Sequence, residues 1–232
     1  GGAPSNVLAM NAKLGGKTAF IGMVGDDAFG MFLKKAMEEA RVDTRGLRMT
    51  RKYPTTLAFV QLTPEGERGF SFYRDPGADV MLTPADVDKK LLKDCHIFHF
   101  GSVSLTKEPC RTATLMAARE AKEAGAIISY DPNYRPFLWE SVIQAKAELM
   151  AALPIADIIK VSHGEMELLT GETDLTAGAT KLMENGAVLV VVTLGEAGAY
   201  YHTAASCGQL SAYDVHTIDT TGAGDAFWGA LL

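Results

Sequence analysis

Val188-Leu189-Val190-Val191-Val192-Thr193 is apolar at every position but its last, with no alternation that would leave one face to water. A strand of that kind is buried on both faces, as in a parallel sheet sandwiched between helices. Shorter runs of similar character precede it at Thr18 to Val24, Ile97 to Phe100, Ile127 to Tyr130 and Ile158 to Val161. Between them apolar residues recur at helical spacing. Val7, Met10 and Leu14 form one stripe, stopped by Gly15-Gly16. Phe29, Phe32, Leu33, Ala36, Met37 and Ala40 form another, with Asp26 or Asp27 placed to cap it. Further helices are predicted over Pro109 to Ala124, about Glu140 to Leu153, Glu165 to Leu169 and Ala177 to Glu184. Strand and helix alternate, which predicts an α/β fold, a doubly wound and mostly parallel sheet flanked by helices.

One segment, about 53–75, breaks that rhythm. Thr56 to Thr63 and Arg68 to Tyr73 are strand-like and are joined by Pro64-Glu65-Gly66, which suits a type I turn. A hairpin inserted into such a core is either a lid or an edge extension of the sheet. There is no internal repeat and no Pro/Gly/Ser-rich tract to serve as a linker, so residues 1–232 are expected to form one domain.

The 232 residues carry 22 basic and 28 acidic side chains, a net charge of −6, which argues against a nucleic-acid partner held by phosphate charge. With 47% apolar and 22% charged residues the composition is that of an ordinary globular protein, not a disordered one. Cys95, Cys110 and Cys207 are few, odd in number and far apart, so no disulfide framework is expected. The longest apolar run, Ala187 to Val192, is too short to cross a membrane, and Gly1-Gly2-Ala3-Pro4 does not open a signal peptide. These features predict a cytoplasmic location. No methionine starts the chain, and Ala226 to Leu232 breaks off within the apolar face of a helix. The expectation is a chain drawn from a longer protein, incomplete at both termini.

Several tempting signals fail on inspection. Gly15-Gly16-Lys17-Thr18 looks like the end of a P-loop, but Asn11 stands where glycine is needed, and a helix precedes it where a strand should. His96 and His99, three apart on a strand, point to opposite faces. Glu165 and Glu167 cannot face each other at helical i, i+2 spacing. Met10, Met23, Met31 and Met37 read as core filling.

The most informative stretch is Asp219-Thr220-Thr221-Gly222-Ala223-Gly224-Asp225-Ala226-Phe227. Small residues let the backbone turn sharply just before an apolar helical pattern, and a helix N-terminus with free amides is an anion site. Asp225 stands at that terminus. A carboxylate there can take the proton of a hydroxyl that attacks a phosphoryl group, or it can simply cap the helix. Gly1-Gly2-Ala3-Pro4-Ser5-Asn6 is a second glycine-rich turn before a helix, suited to neutral hydroxyls or to a plain Pro-started helix. Asp131-Pro132-Asn133-Tyr134-Arg135 and Thr193-Leu194-Gly195 follow strand ends, where open α/β sheets place their ligands.

Taken together, these stretches resemble the ribokinase (PfkB) family of carbohydrate kinases. Gly1 to Asn6, with Gly15 and Gly25 after it, is similar to the family's first signature, and Asp219 to Leu232 to its second. Phe72-Tyr73-Arg74, Asp131 to Arg135, Lys160 to Glu165, Leu169-Thr170-Gly171 and Val192 to Gly195 fall between them in the family's order. Within the family, Phe100-Gly101-Ser102, Glu108 to Arg111 and Ser129 to Asn133 resemble the fructokinases. The resemblance implies an ATP-dependent transfer of the γ-phosphate to a sugar's primary hydroxyl, with fructose becoming fructose 6-phosphate. Kinases for 2-keto-3-deoxygluconate, ribose or a nucleoside are the alternatives, as is a non-catalytic sugar-binding relative.

By the same resemblance Asp225 is the base, and the amides of Gly222, Ala223 and Gly224 hold the charge of the transferring phosphate. Gly1, Gly2, Asn6, Arg74 and Arg135 serve the sugar. Asn133, Thr193 and Gly195 line the ATP site. Glu165 orders Mg²⁺ through water, while Asp219 and Thr221 contribute to a monovalent-cation (K⁺) site. The hairpin is implied to be a lid that excludes water and through which two copies pair, with Phe70 and Phe72 covering the sugar or the partner. Two residues depart from the pattern, Leu8 in place of a small residue and Ser162 in place of an asparagine. The family's first strand, with a sugar-binding aspartate, is expected before Gly1, and its adenine-binding helices and loop after Leu232.

Overall fold

The computed structural model describes residues 2–62, 68–216 and 219–232. Gly1 and the turn Pro64-Glu65-Gly66 therefore lie outside the described residues, as do the side chains of Phe70 and Phe72. In chain order come α1 (Ala3–Lys13), β1 (Gly22–Gly25), α2 (Ala28–Glu39), β2 (Leu47–Thr50), β3 (Leu57–Leu62) and β4 (Arg68–Tyr73). There follow α3 (Lys89–Asp94), β5 (Ile97–Gly101), α4 (Cys110–Glu123), β6 (Ile127–Asp131), α5 (Val142–Ala152) and β7 (Ile158–Ser162). The chain continues through α6 (His163–Thr170), α7 (Leu175–Met183), β8 (Leu189–Thr193), β9 (Ala199–His202), β10 (Cys207–Leu210) and α8 (Ala223–Leu231).

The central sheet has the order β10-β9-β8-β7-β6-β5. Strands β5 to β8 run parallel, while β9 and β10 fold back antiparallel at one edge. Side chains alternate between its two faces. Ile128, Tyr130, Ile159, Val161, Val190 and Val192 point into the main core. That core is closed by small positions of α4 and α5, such as Ala113, Ala117, Ala145 and Ala152, and by Met166 and Leu182 of α6 and α7. On the other face, Val191 packs with Val7 of α1 and Trp228 of α8.

Polar starts fix the helices that feed the sheet. Asp27, rather than Asp26, caps α2 by accepting from Gly30 N, and Ser162 with Glu165 forms a capping box at α6. Helices α1 and α8 approach closely because Gly229 carries no side chain. A β-carbon there would overlap the Val7 carbonyl. Asn11 Nδ2 also donates to Gly229 O at 3.1 Å, stitching the two helices together.

Strands β3 and β4 form a separate antiparallel hairpin, in register from Leu57↔Tyr73 to Leu62↔Arg68. Its feet are fastened to the core. At one end Thr55 donates its N–H and Oγ1 to the Asp27 carboxylate, each at 2.8 Å. At the other, Arg74 is buried and pairs with Asp79, 2.7 Å from Nε. Thr56 Oγ1 donates to the second oxygen of Asp79.

Three short strands escape the sequence pattern. Strand β2 pairs parallel with β1, and β9 and β10 supply the antiparallel edge. The strands that read as apolar on both faces also carry a polar row on the face toward α8. His99 of β5, Ser129 and Asp131 of β6 and Lys160 of β7 occupy it. Among the described residues no helix is long and apolar enough to cross a membrane.

Candidate active site

The polar row of the sheet and the first turn of α8 face each other, and the site is built between them. Gly222 enters α8 at φ +75°, a left-handed conformation that glycine adopts without strain. The approach is fixed by Thr221 N–H, which donates to Asp219 Oδ1 at 2.8 Å. Ala223 N–H donates to Thr220 O at 3.1 Å, so the turn itself uses that amide. Among the described residues, the N–H groups of Gly224 and Asp225 meet no acceptor. They are the free donors of a helix start, where the macrodipole favours an anion.

Asp225 is only 8% exposed and is held from two sides. Asn6 of α1 donates its side-chain amide to Oδ2 at 2.8 Å, and Asn133 donates to Oδ1 at 3.0 Å. Both donors are neutral, so they fix the carboxylate without neutralising it. Asn133 follows β6 in a left-handed conformation, φ +45°, which asparagine tolerates better than most residues. Its N–H donates to Asp131 Oδ1 at 3.1 Å.

Beneath this contact lies a buried ion pair that the sequence motifs leave without a role. Lys160 Nζ donates to Asp131 Oδ2 at 2.7 Å, with side chains 6% and 2% exposed. Burial pushes the Asp131 carboxyl up, to about 6; Lys160 opposes the shift, and the charges of Glu165 and Asp225 add to it. A lysine inside an otherwise apolar, doubly covered strand has no solvent face to reach. That conflict in Ile158-Ile159-Lys160-Val161 is the signal from which the pair is readable.

Glu165 closes the site on the α6 side. One oxygen accepts Tyr134 N–H at 2.6 Å, the other Ser162 N–H at 2.7 Å and Ser162 Oγ at 2.8 Å. Thr193, which pairs with Ser162 in the sheet, and Gly195, at φ +61°, extend the same rim. At the opening of α1, Gly2 O accepts Asn6 N–H at 3.1 Å and Ser5 Oγ at 3.0 Å. Behind Asp225, Trp228 Nε1 donates to Ser129 Oγ at 2.8 Å, and Ser129 Oγ also lies 3.0 Å from His99 Nδ1. Burial and the Lys160 charge press His99 down to about 4.

The structure brings Asn6, Asn133, Gly222, Gly224 and Asp225 into one cluster, with Glu165 and Thr193 on its rim. The two arginines stand differently. Arg135 is exposed, with Nη1 on Tyr134 O at 3.1 Å. Arg74 Nη1 donates to Thr106 Oγ1 at 2.8 Å and Nη2 to Val103 O at 2.9 Å, in addition to the Asp79 pair. Val103 follows Ser102, whose N–H bonds Pro132 O at 3.1 Å, so Arg74 stands beside the site with its donors committed. Among the described residues no group of three or more histidines, cysteines or carboxylates could hold a metal ion.

The family model described as pfkB family carbohydrate kinase matches residues 1–232. The chain is 46% identical over 233 residues to fructokinase-2 of Solanum lycopersicum, covering 100% of this chain and 71% of that one. Among solved structures it is similar to the fructokinase of Xylella fastidiosa with bound ATP, with TM-score 0.92 and 38% identity over 99% of this chain and 71% of that one. The fructokinase of Vibrio cholerae O395, in its form with fructose, ADP and a calcium ion, gives TM-score 0.90 and 37% identity over 100% of this chain and 74% of that one.

Proposed function

Because the chain belongs to the pfkB family of carbohydrate kinases, we propose that it is an ATP-dependent fructokinase that moves the γ-phosphoryl group of ATP to the 6-hydroxyl of fructose. The observation that carries this reading is the Asp225 carboxylate, oriented by Asn6 and Asn133 at the free N-terminus of α8. Asp225 takes the hydroxyl proton, and the sugar oxygen bonds to the γ-phosphorus. The bond from that phosphorus to the oxygen bridging the β-phosphate breaks, and ADP leaves with the electron pair. Charge on the transferring group is met by the α8 start, at the amides of Gly222 and Gly224, with Ala223 shaping the turn. Phosphoryl transfer asks mainly for such positioning and charge stabilisation.

Gly1, Gly2, Asn6 and Arg135 hold sugar hydroxyls in this reading, with Arg74 steadying the pocket wall. The donors of Arg74 are engaged by Asp79, Thr106 and Val103, so of the two arginines it is the exposed Arg135 that keeps donors for a ligand, the hydroxyls of fructose in this reading. Asn133, Thr193 and Gly195 line the nucleotide. The donor set fits Mg²⁺ as an ion carried on the phosphates. Both oxygens of Glu165 already accept protein donors, which leaves it a water-mediated contact. When bound, Mg²⁺ supplies charge neutralisation of the phosphates. Asp219 and Thr221, joined by a hydrogen bond at the entry to α8, are suited to a K⁺ site.

We read residues 1–232 as one ribokinase-like unit, with the hairpin as its lid. Exposed Phe59 and Tyr73, packed edge to face at 5.5 Å, support pairing of two copies through the lid. A net charge of −6 and the absence of a spanning helix among the described residues favour a cytoplasmic enzyme without nucleic-acid or membrane partners. The test is ADP release coupled to fructose. Asp225→Asn is expected to lower kcat by about 10²–10⁴, the range for a general base, while fructose still binds. Unchanged turnover in that variant, or slower turnover with fructose than with ribose or 2-keto-3-deoxygluconate, overturns the reading.

A further inference from the structure

We propose that Lys160 is a further catalytic residue whose ammonium meets the phosphoryl group in transfer, with Asp131 as the counter-charge that holds it there between turnovers. The proposal rests on the kinase reading above, and its argument begins with burial. Lys160 is 5% exposed on a central strand whose neighbours Ile159 and Val161 are fully covered. An ammonium has three N–H groups, and Asp131 Oδ2 takes one of them. Among the described residues the others meet no acceptor, a costly state for a buried charge with only structural work to do.

Position supplies the second argument. A β-carbon added at Gly224 would stand 3.3 Å from Lys160 Nζ, so the ammonium sits against the first turn of α8. The positive end of a helix and a lysine repel each other, and setting them side by side is unfavourable unless an anion comes between them. Asp131 offsets the lysine from the far side. The near side, toward Gly224 and Asp225, is where the oxygens of a phosphoryl group would lie. Lys160 takes no part in the proton transfer. It forms no bond and offsets the charge on the non-bridging oxygens while Asp225 receives the hydroxyl proton.

Lys160→Met is expected to lower kcat about 10²–10³-fold, the usual loss on deleting one charge-stabilising donor, with KM for fructose changed less than about threefold. The double variant Lys160→Met/Asp131→Asn removes both charges but keeps an acceptor for Asn133 N–H. It is expected to regain thermal stability over the single variant while kcat stays low. Recovery of kcat together with stability would show a structural pair and overturn the proposal. A second measurement needs no sugar. Lys160→Met is expected to weaken a non-hydrolysable ATP analogue about tenfold relative to ADP, and an equal effect on both overturns the proposal. In the unaltered protein, the ¹⁵N-lysine ammonium signal of Lys160 is expected to shift with the analogue and not with ADP; the reverse overturns it too. Because neither nucleotide measurement involves fructose, failure of fructose as a substrate is read separately.

Discussion

Asn133 donates its side-chain amide to Asp225 Oδ1 at 3.0 Å, tying the end of β6 to a helix 92 residues further along the chain. The backbone of Asn133 is left-handed, so glycine can replace it without strain. Asn133→Gly is expected to lower kcat about fivefold and stability by about 1 kcal/mol, as for loss of one hydrogen bond without added backbone strain. Asn133→Ala is expected to lose the same activity and a further ~1 kcal/mol of stability from backbone strain. Steady-state kinetics and urea unfolding of both variants check this. An Asn133→Gly enzyme with full kcat would show that Asp225 needs no such orientation.

Gly229 sets the distance between α1 and α8. In Gly229→Ala the new methyl overlaps the Val7 carbonyl, and the helices must part. The expected cost is about 1–3 kcal/mol for overpacking. Because Asn6 rides on α1, kcat is expected to fall as well. Thermal unfolding and turnover are measured on the same sample. Loss of stability with intact kcat would mean that the Asn6 contact survives the shift.

The hairpin's second foot depends on Asp79. Removing its carboxylate in Asp79→Ala leaves the Arg74 guanidinium buried with only Thr106 and Val103 as partners. A loss of about 1.5–3 kcal/mol is expected, the value of a charge-assisted hydrogen bond. Limited proteolysis should cut the hairpin faster in this variant than in the parent. Equal cleavage rates would place the anchorage at Thr55 and Asp27 instead.

His99 and Asp131 give stability slopes of opposite sign over nearly the same pH range. His99 ionises near 6.5 when unfolded and about 4 when folded, so between those values the unfolded chain binds more protons. Stability from this group is full above 6.5 and is lost as pH falls toward 4. Asp131 runs the other way, from 3.8 unfolded to about 6 folded, so its contribution is lost as pH rises through that interval. Denaturant unfolding between about pH 4.5 and 7 is expected to show a flatter acid-side loss in His99→Gln and a steeper one in Asp131→Asn, spanning the two windows. Identical slopes in the parent and both variants would overturn the assignment.

The parallel part of the fold was legible because strands covered on both sides carry uninterrupted apolar runs. The edge was not. Ala199-Tyr200-Tyr201-His202 and Cys207-Gly208-Gln209-Leu210 are short and half polar, and only their ladder with β8 makes them strands. Within the site, Asp225 was legible from the small residues before it, which have few purposes other than a tight helix start. The partnership of Asn6 with Asn133 was not, because it joins positions brought together only by the packing of α1 on α8 and the left-handed turn after β6. Lys160 had a local signal, a charge with no solvent face, but its partner Asp131 becomes visible only once β6 and β7 are adjacent.

Asp225 and Trp228 lie one turn apart on α8, the first in the site and the second wholly enclosed. Asp225 thus takes its coordinates from the hydrophobic interior, and no local loosening can move it without disturbing that interior. Adaptability has to come from parts that share no ladder with the central sheet, and the hairpin is such a part. In the lid reading proposed above, substitutions in the hairpin retune what the site admits while the central sheet keeps its geometry, which makes the hairpin the place to begin a redesign of substrate preference.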